Sequence, residues 1–287
     1  MKIIRAEHRG MCFGVRDAIA LAKNTRAPQT ILGDLVHNET VLADLRARGI
    51  QIKQKPDEVA TQDVMITAHG ASERAVQEIK RRGLNVLEAT CPLVRFAHEA
   101  IAELAAAGFH PVIIGKRDHV EVRGLTGDLD AFDVVLDEAD VMKLPERARF
   151  GIAAQTTQPI EKVERWVALI RARFPKSEVR FVDTVCRPTK QRQAAAVELA
   201  RQSDVVVVIG GARSNNTHEL AATCRRHCAR VHHVQGAEDL RAEWFEGAQI
   251  VGITAGTSTP DKLIDEVELW LRHQKLCRQK QPNKEES

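Results

Sequence analysis

The chain of 287 residues lacks tyrosine altogether and has only eight phenylalanines and three tryptophans. Aromatic side chains form the stacking platforms that bind single-stranded nucleic acids, so this composition argues against such a platform. The formal net charge of +3 is also too small to indicate the concentrated basic face of a nucleic-acid-binding protein. We therefore expect no nucleic-acid partner, whereas a slight positive balance suits a small anionic ligand.

Long apolar runs are missing as well. No run exceeds five residues, and Val205–Ile209, a run of that length, is typical of a buried strand and far too short to span a bilayer. The first residues, Met1–Arg5, pass directly into charge without the apolar core of a signal peptide. We therefore predict a cytoplasmic protein without a membrane span. In that compartment thiols stay reduced, so the six cysteines are interpreted as metal ligands or catalytic groups in preference to disulfides.

A threefold repeat organises the chain. Short β-branched runs alternate with amphipathic helical runs, which is typical of α/β units on parallel sheets. In each repeat a cysteine first ends a strand and opens a helix, namely Cys12, Cys91 and Cys186. From 21 to 24 residues later a second strand ends in glycine, at Gly33, Gly115 and Gly210. A third strand then meets small and hydroxylated residues at 67–72, 153–157 and 254–260.

The third repeat lacks a closing strand, and the unpartnered segment Lys2–His8 is the natural candidate to supply it. We therefore predict an α/β fold of three small α/β domains in a pseudo-threefold trefoil, with Lys2–His8 in the same sheet as Val205–Ile209. The predicted domains are residues 13–91, residues 92–185, and residues 186–277 together with 1–12. Residues 278–287 are predicted to be a disordered tail.

Ligands of open α/β sheets bind at the carboxyl ends of the strands, where all the repeated positions lie. Three thiolates would leave one coordination position of a metal or cluster open, as a catalytic centre requires. Buried core cysteines are the alternative, although recurrence at one position of the repeat disfavours it. The other loops offer anion-binding hydroxyl, amide and imidazole groups, namely those of His37, Asn38, His119, Ser214, Asn215, Asn216 and Thr217, and the loop of His119 also carries Glu121. Taken singly, a histidine is more often a structural hydrogen-bonding group, and a serine, threonine or asparagine before a helix is usually an N-cap.

Nine motifs carry a resemblance to a known family. They are Arg9–Val15, Val36–Asn38, Ala68–Gly70, Ala89–Val94, His119–Val122, Gln155–Thr157, Cys186–Gln193, Ser214–Asn216 and Thr254–Ser258. In this order and spacing they resemble the 4-hydroxy-3-methylbut-2-enyl diphosphate reductases, iron–sulfur enzymes of the methylerythritol phosphate route to isoprenoids. The resemblance covers about Lys2 to Leu271.

The resemblance implies three α/β domains around a [4Fe–4S] cluster that is held by Cys12, Cys91 and Cys186 and keeps an open, unique iron. It implies reductive dehydroxylation of the allylic diphosphate to isopentenyl and dimethylallyl diphosphate. The electrons would come singly from an external donor such as ferredoxin or flavodoxin, and the iron would act as a Lewis acid on the hydroxyl oxygen.

The resemblance also assigns roles to the polar residues. The diphosphate would be bound by residues that match His37, His69, Ser214, Asn216 and Ser258, with His119 nearby. Glu121 matches the proton-delivering acid and Thr156 the threonine beside the reacting hydroxyl. Three departures occur: Asn215 replaces a common second serine, Met11 a usual phenylalanine, and Val120 a frequent proline. An amide still donates to phosphate, so Asn215 affects the details of contact, and the other two are packing changes.

Two other functions remain open. A redox-neutral dehydratase would keep the cluster, and product analysis with and without reductant would separate it from a reductase. A cluster-binding sensor would need neither Glu121 nor Thr156.

Three further features have plain explanations. Cys224 and Cys228 share a helix face. This spacing favours two buried or half-buried small residues over a pair of metal ligands. Cys277 is interpreted as a thiol without catalytic use. The basic run Arg225–His227, near His232 and His233, is a solvated surface or a docking place for an acidic electron-transfer protein.

Overall fold

The structure is a computed structural model that describes residues 1–25 and 29–279, with side chains as far as Gln274. Parallel strands alternate with helices throughout. The strands are β1 Lys2–Arg5, β2 Gln29–Leu32, β3 Gln51–Lys53, β4 Asp63–Ile66, β5 Asn85–Glu88, β6 His110–Ile114, β7 Asp133–Val135, β8 Arg149–Ala154, β9 Glu178–Phe181, β10 Val205–Ile209, β11 Val231–Val234 and β12 Ile250–Ala255.

The α-helices lie between these strands, as the sequence pattern predicted. They are α1 Phe13–Asn24, α2 Glu39–Ala47, α3 Glu73–Arg81, α4 Pro92–Ala106, α5 Val120–Thr126, α6 Glu138–Lys143, α7 Ile160–Arg173, α8 Arg187–Arg201, α9 Asn215–Arg225 and α10 Asp261–Gln279. Short 3-10 helices occur at Pro56–Glu58, Ala237–Asp239 and Ala242–Phe245. None of the helices in the described part of the chain combines the length and apolar content that a membrane crossing requires.

The strands form three four-stranded parallel sheets, so the predicted fold class is confirmed. Their orders are β3-β2-β4-β5, β7-β6-β8-β9 and β11-β10-β12-β1. The three orders correspond strand for strand, and β1 occupies the place that β5 and β9 hold in the other sheets. Lys2 pairs with Ile250 and Arg5 with Ile253, so the predicted pairing of the N-terminal strand with the sheet of Val205–Ile209 is confirmed. The strand ends at Arg5, three residues earlier than predicted.

The described chain groups into two compact units. The first contains Met1–Cys12, His37–Glu39 and the chain from Gln191 onward, and the second contains Phe13–Val36 and Thr40–Lys190. The first unit has the sheet of β10 and the second has the other two. The three-domain boundaries stay a prediction. Residues 278 and 279 of the predicted tail are the last residues of α10, and the remainder lies outside the described residues.

Strand β10 shows why its sheet is stable. Its five residues are all fully buried because helices cover both faces of a parallel sheet. Val205, Val207 and Ile209 join one apolar cluster, whereas Val206 and Val208 join another on the opposite face. Burial of each such side chain contributes roughly 1.5–3 kcal/mol, so the strand is a rigid base for the loop that follows Ile209.

Candidate functional site

Each cysteine of the repeat stands immediately before a helix. Cys91 is the N-cap of α4, while Cys12 and Cys186 directly precede α1 and α8. All three thiols are half-buried. Cysteine thiolates are the ligands that iron–sulfur clusters use, so the three positions are suited to such a group.

One backbone hydrogen bond recurs at all three cysteines. The N–H of Cys12 donates to the carbonyl of Thr257 at 3.2 Å, that of Cys91 to Ala68 at 3.1 Å, and that of Cys186 to Thr156 at 3.0 Å. In each case the acceptor lies in the loop after β12, β4 or β8, the strand that pairs with the strand leading to that cysteine. The repeat therefore fixes each cysteine to the loop that carries its polar neighbours.

Cys91 and Cys186 lie in the second unit, each with a close neighbour. A Cβ atom added to Gly14 would lie 2.5 Å from the Sγ of Cys91, so any larger residue at this position of α1 would require the thiol or the helix to shift. The Sγ of Cys186 lies 3.1 Å from the Oγ1 of Thr189, which is in the first turn of α8.

Glu121 and Thr156 form a buried polar pair in the second unit. Glu121 lies in the first turn of α5 and is 1% exposed. Its carboxylate accepts hydrogen bonds from the backbone N–H of Thr156 at 2.6 Å and from the Thr156 hydroxyl at 3.1 Å. Burial raises the pKa of Glu121 to about 7, against the opposing effect of these two hydrogen bonds. A carboxyl group with this pKa gives up and takes back protons at neutral pH.

Two histidines lie beside this pair. His119 is the N-cap of α5, and its Nδ1 accepts from the N–H of Glu121 at 3.2 Å. That nitrogen carries no proton, so the proton of a neutral His119 ring sits on Nε2. The ring of His69 meets the ring of His119 edge-on, with centroids 5.5 Å apart. His69 follows β4, and its Nδ1 lies 3.5 Å from the Thr67 hydroxyl.

The first unit brings the other polar candidates together around the backbone of His37. A Cβ atom on Gly211 would lie 2.2 Å from the His37 carbonyl oxygen, so the loop after β10 contacts this backbone directly. The Ser258 hydroxyl donates to the same carbonyl at 3.4 Å. Ser214 caps α9 by accepting from Thr217 N–H at 3.3 Å.

Two side-chain amides of this group point to an anion. The Nδ2 atoms of Asn215 and Asn216 are buried, and neither has a hydrogen-bond partner among the described residues. Because a buried N–H without an acceptor is costly, these donors fit a ligand that carries oxygen acceptors. The neighbouring backbone N–H groups of the first turn of α9 have the same preference. Asn38, also proposed from the sequence, is buried beside His37.

The remaining cysteines have structural roles where they are described. Cys224 and Cys228 are buried, as predicted, and their Sγ atoms face the carbonyls of Ala196 and Ser203. Burial raises the pKa of Cys224 to about 12, so it stays a thiol. The side chain of Cys277 lies outside the described residues. The run Arg225–His227 is exposed.

Sequence reasoning gave no role to Gly14, Gly211 or Arg192, although all three contact functional segments. Arg192 is buried and binds the Gly10 carbonyl. It stands in the motif Cys186–Gln193, and an arginine on the buried face of an amphipathic helix was the signal available. The close approaches of the two glycines join distant parts of the chain, which no local pattern reveals.

The model of the LytB protein family matches residues 3–272. Among curated proteins, the 4-hydroxy-3-methylbut-2-enyl diphosphate reductase of Pelobacter propionicus is 36% identical over 271 residues, which cover 93% of this chain and 96% of that protein. The enzymes of that name from Geotalea daltonii and Aquifex aeolicus are 38% and 36% identical, and each alignment covers 95% or more of the relative.

Two solved structures are similar to this one. A structure of (E)-4-hydroxy-3-methyl-but-2-enyl diphosphate reductase, described as the terminal enzyme of the non-mevalonate pathway, has a TM-score of 0.67 and 34% identity. The match covers 95% of this chain and 100% of that chain. The E-1-hydroxy-2-methyl-but-2-enyl-4-diphosphate reductase from Plasmodium falciparum has a TM-score of 0.87 at 25% identity, over 93% of this chain and 87% of that chain.

Proposed function

Because the chain belongs to the LytB protein family, we propose that it catalyses the reductive dehydroxylation of 4-hydroxy-3-methylbut-2-enyl diphosphate. The substrate takes up two electrons and two protons, the allylic C–O bond breaks, and water leaves. The products are isopentenyl and dimethylallyl diphosphate, at the last step of the methylerythritol phosphate pathway. Relatives of this name align over nearly their whole length, which supports the same activity here.

We propose Cys12, Cys91 and Cys186 as the three protein ligands of one [4Fe–4S] cluster with an open, unique iron. The donor set fits such a group, since three half-buried thiols stand before helix N-termini and Gly14 leaves room beside the Cys91 sulfur. When bound, the cluster supplies single electrons and Lewis acidity toward the substrate hydroxyl.

Glu121 delivers protons, and its burial is the observation that carries this proposal. With a pKa of about 7, it is protonated in a large fraction of molecules at neutral pH and can donate to a departing hydroxyl. Thr156 holds the carboxyl group through two hydrogen bonds, while its own carbonyl accepts from the Cys186 N–H. Thr156 therefore links the proposed acid, Glu121, to the proposed ligand, Cys186, and keeps the carboxyl group of Glu121 oriented.

The diphosphate is bound by hydroxyl, amide and imidazole donors. In the first unit these are His37, Ser214, Asn215, Asn216 and Ser258, and in the second unit His69, with His119 nearby. Thr156 instead contacts the substrate beside the reacting hydroxyl. The buried amides of Asn215 and Asn216 favour oxygen acceptors, and the N-terminus of α9 adds positive potential. Asn215 donates where relatives commonly use a serine hydroxyl. Because these contacts bind the part of the substrate that does not react, they orient the allylic carbon.

The reaction needs an external one-electron donor, for which we propose a ferredoxin or a flavodoxin. The five described cysteines are all thiols, which fits a reducing compartment, and we propose the cytoplasm.

Replacement of Glu121 by glutamine tests the proposed acid. Glutamine keeps the size and hydrogen bonding of the side chain but gives up no proton of useful acidity, so turnover should fall at least about a hundredfold. The anaerobically purified variant should retain iron and sulfide, and substrate should still change the absorption spectrum of the cluster. Turnover is measured with dithionite-reduced mediator.

The exposed Glu99 on α4 provides the matched control, since Glu99→Gln removes one carboxylate of the same unit. This control should change turnover by less than about twofold. Near-normal turnover of Glu121→Gln would remove Glu121 from the mechanism, and loss of its iron would make the residue structural.

A further inference from the structure

Arg192 is a buried cation next to the segment that leads to Cys12. It stands on α8 and is 7% exposed. Its Nε and Nη2 atoms both donate to the carbonyl oxygen of Gly10, at 2.9 Å and 2.7 Å. Burial of a guanidinium group is unfavourable unless its donors are satisfied, so this contact is a specific one.

The Gly10 peptide is held from both sides. On the donor side, the N–H groups of Gly10, Met11 and Cys12 bind the carbonyls of Ala255, Thr259 and Thr257 at 3.1 to 3.2 Å. Arg192 holds the acceptor side. Gly10 has a φ of +68°, which a glycine adopts without strain, so the chain turns sharply between the two sets of bonds.

Cys12 needs such support more than the other two cysteines. Six residues separate it from the end of β1 at Arg5, whereas two separate Cys91 from β5 and four separate Cys186 from β9. A longer connection leaves its end less restrained by the sheet. Arg192 contacts this connection two residues before the cysteine.

We propose that Arg192 is a positioning residue that holds the Gly10–Cys12 loop so that the Cys12 sulfur stays in place for the cluster. The inference rests on the proposed role of Cys12 as a ligand. Residues that orient metal ligands act without touching the metal, and their loss typically weakens metal retention by about 10–100-fold.

Three full-length variants, prepared anaerobically with cluster, separate the parts of this proposal. Arg192→Gln removes the charge and one arm of the fork. Arg192→Lys keeps the charge but replaces the planar fork by a single ammonium group. Arg201→Gln removes an exposed arginine from the end of the same helix and serves as the control.

Hydrogen exchange followed by mass spectrometry measures directly how firmly the Gly10–Cys12 loop is held. In Arg192→Gln, amides of a peptide that covers residues 9–13 should exchange at least about tenfold faster, while those of Val205–Ile209 keep their wild-type rates. Unchanged exchange at residues 9–13 would overturn the proposal. Equal acceleration at 205–209 in both Arg192 variants would also overturn it, because Arg192 would then support the whole unit.

The rate of iron release to a chelator measures the effect on cluster retention. Arg192→Gln should lose iron at least about tenfold faster than wild type, Arg192→Lys at an intermediate rate, and Arg201→Gln within about twofold of wild type. If Arg192→Gln exchanges faster at residues 9–13 but releases iron at the wild-type rate, the inference about Arg192 is overturned while the ligand assignment stands. If Cys12→Ser keeps its full iron, the ligand assignment fails instead, whatever the Arg192 variants show.

Discussion

At the scale of single residues, the free energy of burial determines what Glu121 can do. An exposed glutamate is ionised at neutral pH and is a poor acid. Removal of its carboxyl group from water penalises the charged form more than the two hydrogen bonds from Thr156 stabilise it, and the pKa rises to about 7. The same two hydrogen bonds fix the orientation of the group.

This pKa predicts how turnover depends on pH. The carboxyl group donates only when protonated, so kcat should decline as the pH rises through about 7, by up to about tenfold per pH unit well above it. The measurement is kcat at saturating substrate between about pH 6 and pH 9, with reduced mediator in excess. The low residual rate of Glu121→Gln should lack this decline, whereas Glu99→Gln should keep it. An identical decline in Glu121→Gln would assign the titration to another group.

At the scale of elements, the three repeats place a cysteine, a helix start and a polar loop in fixed relation. The bond from each cysteine N–H to its neighbouring loop requires the loop backbone to come within about 3 Å of the helix start, a usual hydrogen-bond distance. A separate close contact also constrains Cys91 within the second unit, because its sulfur packs against Gly14 of α1.

Gly14→Ala should therefore lower both cluster retention and stability. In an exposed helix interior this change stabilises by roughly 1 kcal/mol, but here the new methyl group would lie 2.5 Å from the Cys91 sulfur. We expect iron and sulfide per chain to fall, together with the melting temperature. Ala20→Gly at an exposed position of α1 is the reverse control, which should cost stability and keep iron. Full iron in Gly14→Ala would show that the site relaxes around the methyl group.

At the scale of the whole molecule, the equivalent order of the three sheets explains why β1 joins the sheet of the last repeat. Each sheet needs a strand beside β4, β8 or β12, and β1 supplies it for the third. This closure brings Cys12 into the same relation to its sheet that Cys91 and Cys186 have to theirs. The three-domain description that we propose, residues 13–91, 92–185 and 186–277 with 1–12, follows the repeat.

Serine replacements of all six cysteines test whether the repeat defines the ligands. Cys12→Ser, Cys91→Ser and Cys186→Ser should each lose most of the iron, because a serine hydroxyl is a poor substitute for a thiolate. Cys224→Ser, Cys228→Ser and Cys277→Ser should keep it. Iron and sulfide are measured anaerobically, with thermal melting to detect unfolding. The assignment is wrong if Cys224→Ser or Cys228→Ser loses as much iron as Cys91→Ser.

Much of this protein follows from the sequence alone. The alternation of β-branched and amphipathic runs determined the three parallel sheets, and the missing strand of the third repeat predicted the pairing of β1. The helix starts at all three cysteines followed from the same pattern. These features are local or periodic, because strand and helix patterns depend on neighbours two to four residues away.

Only the tertiary structure decided which distant residues act together. Burial raises the pKa of Glu121 against two hydrogen bonds from a threonine 35 positions away, and the contact of Arg192 with Gly10 spans 182 positions. Desolvation and hydrogen bonding at such separations depend on how sheets and helices pack, and this packing leaves no periodic signal in the sequence. The sequence determined which chemical groups are present and near which strand ends, and packing decided which carboxyl group is buried and which loop is held.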